Sequence, residues 1–320
     1  MKKYLFLIFL YGFLCTSSAQ VTTGITGKRD TSYSTWSAYR STLKTHPNIR
    51  IVSEQPSKLV KESRNLVYHK IGDRSLHIDA FIPVHKKINK KTPALLIIHG
   101  GGWRSGNKEQ HIPLAQRIAA AGYASFTVEY RLSTEALYPA AVNDLTSALK
   151  WLKANGKRFN IDTKKVAVLG FSAGGELATY VGFTAGDKVQ AIIDIDGTLS
   201  FVHPEGREGD DSKSISAGTY WFGYSKKENP ELWKKASPLT YAENNKAPVL
   251  FLNSSVPWMH AGRNDFQKIA AKNNIYTEVH TFEGAPHSFC LFDPWFEPTV
   301  GYITAFLNKV LTVSNKHTGI

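Results

Sequence analysis

Two short glycine-rich segments carry residues whose types and spacing suit attack on a carbonyl group. They read HGGGW at 99–103 and GFSAG at 170–174, and each follows an apolar run typical of a buried strand. A serine between glycines at a strand-to-helix turn presents its hydroxyl as a nucleophile. A preceding glycine loop offers backbone N–H groups to the negative charge that develops on the carbonyl oxygen. The two segments together therefore predict nucleophilic acyl transfer at Ser172.

The oxyanion hole is predicted from the same two segments. The backbone N–H of Ala173 and those of Gly101 and Gly102 are the expected donors, because glycine lets the backbone approach a substrate closely. The motifs contain no metal-ligand spacing, so neither a metal nor another cofactor is expected.

The elements that must position these motifs alternate between buried strands and amphipathic helices. Strands are predicted at 94–98, 124–129, 166–169, 191–195, 249–252 and 276–282, and helices at 108–121, 139–155, 174–183, 265–274 and 299–313. A hairpin at 65–82, turning at Gly72, supplies an antiparallel edge. This order predicts an α/β fold with a mostly parallel central sheet and helices on both faces.

The amino terminus has the charged, apolar and small-residue series of a signal peptide. We expect residues 1–19 to be removed before Gln20, because the apolar run is too short to span a membrane and no stop-transfer pattern follows. The mature protein would then be periplasmic or extracellular, with no stable membrane insertion. Removal of Cys15 leaves Cys290 as a single buried packing thiol.

The remaining chain divides into an extended lead-in, 20–57, and a catalytic domain, 58–320, with an insertion at about 199–241. The insertion is predicted to form a lid whose aromatic residues make a small core. The net charge of +13 favours an anionic partner. The basic residues are scattered and not interleaved with aromatics, which argues against nucleic acid and favours an anionic polysaccharide or oligosaccharide. Alternatively, the surplus lysine only keeps the surface soluble.

Five segments carry a resemblance to a known family. They read HGGGW at 99–103, EYRL at 129–132, YPAA at 138–141, GFSAGG at 170–175 and APHSF at 285–289. With them the chain resembles α/β-hydrolases of the hormone-sensitive-lipase-like esterase group from about residue 65 to 311, and especially bacterial carbohydrate esterases that act on plant cell walls. The resemblance implies the α/β-hydrolase fold and a catalytic order of nucleophile, acid and histidine.

That order implies His287 as the base, because it follows the last predicted strand in a GAPH loop. His280 lies within the strand and His99 is expected to buttress the glycine loop. Related esterases place the acid in an HGxxD loop, but the corresponding segment here, 253–265, has its first carboxylate at Asp265. Asp265 is therefore predicted to be the triad acid. Asp196 is the reserve, and its neighbour Asp194 is expected to be structural.

Candidate substrate residues lie in the same loop and in aromatic positions near it. Arg263 and His260 are predicted beside His287, where an arginine could hold a carboxylate through two N–H bonds. The alternative is that Arg263 stabilises its own loop through Asp265. Trp258, Trp103 and Trp221 are candidates for stacking on sugar rings or for ordinary packing.

The sequence therefore predicts a secreted serine carbohydrate esterase that forms an acyl-enzyme. Methyl esters of pectin galacturonate are favoured by export, basic charge and Arg263. An acetylesterase acting on acetylated xylan or pectin is the alternative. A noncatalytic glycan-binding protein on a hydrolase fold is a further alternative, which the intact serine and histidine motifs oppose.

Overall fold

A computed structural model describes residues 24–84 and 91–312 of the chain. Within these residues the main sheet has eight strands, which are β2 Val60–Ile71, β3 Arg74–Pro83, β4 Thr92–Ile98, β5 Ala124–Val128, β6 Ile161–Phe171, β7 Ala191–Ile195, β8 Val249–Asn253 and β9 Thr277–Thr281. Their order across the sheet is β2-β3-β5-β4-β6-β7-β8-β9. Strands β2 and β3 are antiparallel to their neighbours, while β5, β4, β6, β7, β8 and β9 are parallel. This is the predicted mixed sheet with a hairpin edge.

Helices cover both faces of this sheet. Their bounds are α1 Thr35–Thr42, α2 Ile112–Ala120, α3 Ala140–Ala154, α4 Ala173–Thr184, α5 Ala217–Phe222, α6 Pro230–Ala236, α7 Arg263–Lys272 and α8 Phe296–Thr312. Alternate residues of β4 point to opposite faces of the sheet and belong to two separate cores. Leu96 and Ile98 pack with α3 and α4. Leu95 and Ile97 pack with α2 and α8 on the other face. Burial on both faces explains the continuous apolar runs in the sequence. The described helices include none that is long and apolar enough to span a bilayer.

The lead-in packs along the catalytic domain. After α1, the short strand β1, Arg50–Ile51, pairs antiparallel with β10, Phe292–Asp293, near the other end of the chain. Nε2 of His46 is 2.9 Å from the carbonyl oxygen of Gly284, and the hydroxyl of Tyr33 is 3.4 Å from that of Ser288. Segment 24–52 is thus attached on both sides of His287. The predicted signal peptide lies outside the described residues.

The insertion between β7 and β8 forms a small cap over the carboxyl edge of the sheet. It contains α5, α6 and a 3₁₀ helix, Pro238–Asn244. Trp221, Phe222 and Trp233 are buried, and all three rings pack against Phe201. These rings do not form the separate core that was expected, because they continue into the main core: Trp221 stacks on Trp103 at 4.8 Å, and both Trp221 and Phe222 pack against Tyr138.

Candidate active site

The nucleophile lies at the turn between β6 and α4. Ser172 has a backbone φ of 57° and ψ of −123°, and its N–H donates to the carbonyl oxygen of Ile195 at 2.8 Å. This conformation turns the serine out of the strand and places it at the start of the helix. A Cβ on Gly174 would lie only 2.2 Å from the carbonyl oxygen of Ile98, so glycine is required for the helix to pack this closely.

A continuous hydrogen-bond line connects this serine to a base and an acid. Nε2 of His287 is 2.8 Å from Oγ of Ser172, and Nδ1 of His287 is 2.9 Å from Oδ2 of Asp196. This is the geometry of a serine-histidine-aspartate triad, in which the carboxylate orients the imidazole and stabilises its protonated form. The predictions for Ser172 and His287 agree with this geometry.

The prediction of Asp265 as the triad acid is wrong. Asp265 lies in the first turn of α7, is 41% exposed, and contacts Lys268 and His203 instead. Asp196, the reserve, is fully buried directly after β7, the strand adjacent to β6. The acid comes from one strand earlier than in the resemblance because the loop after β8 brings no carboxylate to His287.

Three donors converge on the carboxylate of Asp196. Its Oδ2 accepts from His287, while Oδ1 is 3.0 Å from Nε2 of His260 and accepts the N–H of Ser254 at 2.7 Å. Burial alone would raise the pKa of Asp196, but the hydrogen bonds from His260, His287 and Ser254 outweigh it and lower the pKa to about 2. The acid therefore stays ionised at any pH where the histidine can act as a base.

The neighbouring acid, Asp194, has a structural role. It is buried, accepts the N–H of Gly197 at 2.6 Å and contacts the hydroxyl of Thr179. These contacts fix the turn that presents Asp196, as the sequence predicted. Burial, together with the charge of Asp196, keeps the pKa of Asp194 well above its usual range.

The glycine loop completes the site on the other side of Ser172. Within residues 24–84 and 91–312, the backbone N–H groups of Gly101, Gly102 and Ala173 donate to no protein acceptor. Gly102 and Ala173 line one cavity together with Ser172. Free N–H groups at the start of a helix and in a glycine loop suit the negative oxygen of a tetrahedral intermediate.

His99 supports this loop from below, as predicted. Its ring is buried and stacks on Tyr130 at 4.4 Å, and Nδ1 is 2.8 Å from the carbonyl oxygen of Gly100. Burial lowers the pKa of His99 to about 4, so the ring is neutral near pH 7.

The cavity beside Ser172 has a volume of about 100 Å³ and a wall of mixed polarity. Trp258, a predicted substrate residue, lines it and is 37% exposed, and Trp103 lines it with only 3% of its surface exposed. Trp221 has the alternative role predicted for it, ordinary packing, because this ring is fully buried and stacks on Trp103 at 4.8 Å.

Arg263 and His260, the predicted substrate residues in the loop after β8, hydrogen-bond to protein side chains and lie outside the cavity. Arg263 donates to the side-chain oxygens of Asn253 and Asn264 and does not line the cavity. The predicted alternative tie to Asp265 is also wrong. His260 bonds to Asp196 and likewise is not among the cavity residues.

Two charged cap residues in this wall were missed from the sequence. Arg207 and Glu208 both line the cavity, and the guanidinium of Arg207 lies 4.0 Å from the centre of the Trp258 ring. Burial raises the pKa of Glu208 despite the nearby charge of Lys226 and a hydrogen bond from the Gly218 N–H. The aperiodic insertion offered no signal that could single out these two residues.

The parallel sheet, the strained serine turn and the triad define an α/β-hydrolase with a serine-histidine-aspartate site. The chain belongs to the BD-FAE family, whose sequence profile matches residues 78–256, more than half of its length. The match ends just after β8 and so includes the nucleophile and Asp196 but not His260 or His287.

Named relatives support this assignment. The chain is 28% identical to Esterase LipC of Mycobacterium tuberculosis over 251 residues, which are 69% of this chain and 59% of LipC. It is 27% identical to an ethyl acetate hydrolase of Pseudomonas putida over 208 residues, 61% of this chain and 65% of that protein. The chain therefore spans less than two thirds of the length of either relative.

Solved structures share the fold. A hyperthermophilic esterase from the archaeon Pyrobaculum calidifontis is 26% identical with a TM-score of 0.63, covering 81% of this chain and 88% of that one. A truncated carbohydrate esterase from gut microbiota has a TM-score of 0.67 at 19% identity, covering 80% of this chain and 99% of that one. At that identity the second likeness concerns the fold alone.

Proposed function

We propose that the protein is a serine esterase that removes short acyl groups, foremost acetyl, from carbohydrate hydroxyls. The observation that carries the esterase chemistry is the line from Ser172 through His287 to the buried Asp196, with bonds of 2.8 and 2.9 Å. Relatives named as an esterase and an ethyl acetate hydrolase support the same reaction class.

The acylation step follows from this geometry. Oγ of Ser172 attacks the ester carbonyl and gives its proton to Nε2 of His287, while the carbonyl electron pair moves onto the oxygen facing Gly102 and Ala173. Collapse of this intermediate breaks the bond to the alcohol, which leaves with the proton from His287. Asp196 remains ionised and stabilises the imidazolium throughout.

Deacylation repeats the sequence with water as nucleophile. His287 takes a proton from the water as it attacks the acyl-serine, and returns the proton to Oγ of Ser172 as the carboxylic acid leaves. The same oxyanion donors serve both steps, so no cofactor is required by this scheme.

The size of the cavity favours a short acyl group. Its volume of about 100 Å³ is small beside the roughly 300–1,000 Å³ of typical drug-sized ligand pockets. An acetyl group fits such a space, whereas a long fatty acyl chain would have to extend over the charged cap residues Arg207 and Glu208. This disfavours a lipase.

The cavity wall favours a hydroxyl-rich alcohol. Trp258 offers a partly exposed ring for stacking on a sugar, and Glu208 and Arg207 offer an acceptor and donors for its hydroxyls. The fold-level likeness to a gut carbohydrate esterase is compatible with this choice. Export of the mature protein, as the leader-like sequence 1–19 suggests, would bring it to such substrates.

Pectin methyl esters are the second candidate. Arg207 is a cavity cation that could pair with a neighbouring galacturonate carboxylate, and the excess of basic over acidic residues in the chain would concentrate the enzyme on an anionic polymer. Glu208 in the same wall opposes an anionic substrate, and Arg263, which the sequence predicts to hold a carboxylate, contacts Asn253 and Asn264 instead. We therefore rank this candidate below deacetylation.

The test is product release from acetylated xylan and methyl-esterified pectin, with Ser172→Ala as the control. We expect acetate, and no acetate from the variant. Methanol without acetate would support the pectin candidate. A third outcome would support a binding protein. In it, wild type and Ser172→Ala bind the glycans equally well, and neither turns over the polymers or p-nitrophenyl acetate.

Glu208→Gln sharpens the choice of substrate. If Glu208 repels anionic substrates, the variant should gain several-fold in kcat/KM on a partly methyl-esterified oligogalacturonate, which keeps free carboxylates beside its esters, relative to a neutral acetylated sugar. Glu205→Gln is a matched control, because Glu205 belongs to the same insertion but is absent from the cavity lining. Equal ratios in wild type and both variants would contradict the role assigned to Glu208.

A further inference from the structure

The catalytic acid is shared between two histidines, and only one of them reaches the serine. His260 ends the 3₁₀ helix Pro257–His260, in the loop after β8, and its Nε2 is 3.0 Å from Oδ1 of Asp196. We propose that His260 is a positioning residue whose hydrogen bond to Asp196 holds that carboxylate and sets its basicity. This inference rests on the proposed esterase function.

The two oxygens of Asp196 are used separately. Oδ2 faces His287, while Oδ1 is held by His260 and by the N–H of Ser254. Because Asp196 is fully buried and His260 is only 11% exposed, water would not replace a lost donor there. Without His260, only the N–H of Ser254 remains on Oδ1, so less of the negative charge of Asp196 is compensated while Oδ2 keeps its bond to His287.

The hydrogen bond from His260 also changes how the negative charge of Asp196 is distributed between its two oxygens. A donor on Oδ1 draws electron density away from Oδ2 and weakens the pull of the carboxylate on the proton at His287. Removing that donor should favour the imidazolium form of His287, which cannot accept the proton of Ser172. The effect predicted for loss of His260 is therefore a base that becomes active only at higher pH.

Other ionisable groups lie near Asp196 and His287, and none of them is substituted in the test. Asp194 of β7 and Arg263 of α7 act on Asp196 through charge, and Glu208 of the cap acts on His287. Cys290, in the turn after His287, is buried, and burial keeps the pKa of its thiol well above the usual range. None of these side chains is altered by a substitution at His260, so a difference in pH dependence between the Gln and Phe variants reports on the N–H donor.

The bond further links the acid to the substrate wall. Trp258 and Met259, the two residues before His260, both line the cavity. Loss of the contact would therefore disturb binding of a large substrate as well as the triad. A probe that is small and reacts directly with the serine separates the two effects.

The experiment compares wild type, His260→Gln and His260→Phe by the rate of covalent labelling with a fluorophosphonate. In this reaction Oγ of Ser172 forms a bond to phosphorus, fluoride leaves, and the serine proton passes to His287. Glutamine keeps an N–H donor at this position and phenylalanine does not. Thermal unfolding midpoints verify that each variant is folded, and Ser172→Ala gives the background.

We measure the labelling rate as a function of pH. We expect His260→Phe to move the acid limb of this pH profile to higher pH by about half a unit or more and to slow labelling at neutral pH several-fold. His260→Gln should keep the acid limb within about 0.2 units of wild type, because glutamine still offers an N–H donor to Asp196. Identical acid limbs in all three folded proteins would overturn the proposal, and so would a glutamine variant that behaves like phenylalanine. Failure of wild type to be labelled at Ser172 would instead refute the esterase function.

Discussion

The two sides of the catalytic centre are built in different ways. On the nucleophile side, Ser172 and the glycine loop 99–103 follow adjacent strands β6 and β4, and local sequence fixes their shape. On the acid side, Asp196, His260 and His287 come from three separate loops spread over about 90 residues. The first side depends on backbone geometry within short motifs. The second depends on side chains that meet only when the whole sheet has formed.

Removal of the nucleophile is the largest effect we expect and tests the first side. Ser172→Ala should lower kcat on p-nitrophenyl acetate by about 10⁶-fold, because neither an acyl-enzyme nor a base-activated serine can form. The thermal unfolding midpoint should stay near that of wild type. A variant with substantial turnover would mean that another residue carries the reaction.

The second prediction tests which carboxylate belongs to the acid side. Asp196→Asn should lower kcat by about 10⁴-fold, since the amide cannot stabilise the imidazolium and favours the wrong tautomer of His287. Asp265→Asn is the matched control and should stay within about twofold of wild type, because Asp265 is partly exposed and pairs with Lys268 and His203 rather than with His287. Steady-state kinetics with a small ester measure both. The opposite ranking would restore Asp265 as the acid.

A smaller loss is expected from disturbing the glycine loop. Gly101 has a φ of 124°, and a Cβ there would lie 2.3 Å from the carbonyl oxygen of Ser105. Gly101→Ala must therefore move the oxyanion donors, with an expected loss of about 10² to 10³ in kcat. Gly72→Ala is the control, because Gly72 also has a positive φ, 56°, but has open space around it. Equal activity of the two variants would contradict the oxyanion role of the loop.

The smallest predicted effect concerns the support of the acid side by the lead-in. His46→Ala removes the contact with the carbonyl oxygen of Gly284, three residues before His287. We expect kcat/KM to fall about threefold, with less than about 1 kcal/mol lost in the free energy of unfolding. His69→Ala on the outer strand β2 serves as control. An unchanged kcat/KM for His46→Ala would show that the lead-in does not support the catalytic loop.

The same contrast explains what the sequence could and could not predict. The strands, the hairpin edge, the serine turn and His287 were predicted because apolar runs, glycine spacing and turn residues are local signals. The acid was misassigned because the choice between Asp196 and Asp265 depends on which loop crosses His287. A usable signal was present: Asp196 follows a buried strand and precedes Gly197, at the same sheet edge as Ser172.

Side-chain partners were the other source of error. The guanidinium of Arg263 donates hydrogen bonds to the side-chain oxygens of Asn253 and Asn264, and the ring of Trp221 stacks on that of Trp103. Neither contact leaves a trace in composition or periodicity. The cap residues Arg207 and Glu208 were missed for a related reason, since a segment without regular periodicity does not indicate which of its side chains face inward.

The pairing of β1 with β10 has a consequence for the kinetics of folding. Arg50 lies opposite Asp293, so this two-stranded sheet closes a loop that includes nearly the whole domain. Closing so long a loop costs chain entropy, and contacts of such sequence separation form late when folding begins from local structure. The segment that holds the loop of His287 should therefore dock after the central sheet has assembled. During refolding from denaturant, recovery of the reactive serine should lag behind recovery of secondary structure.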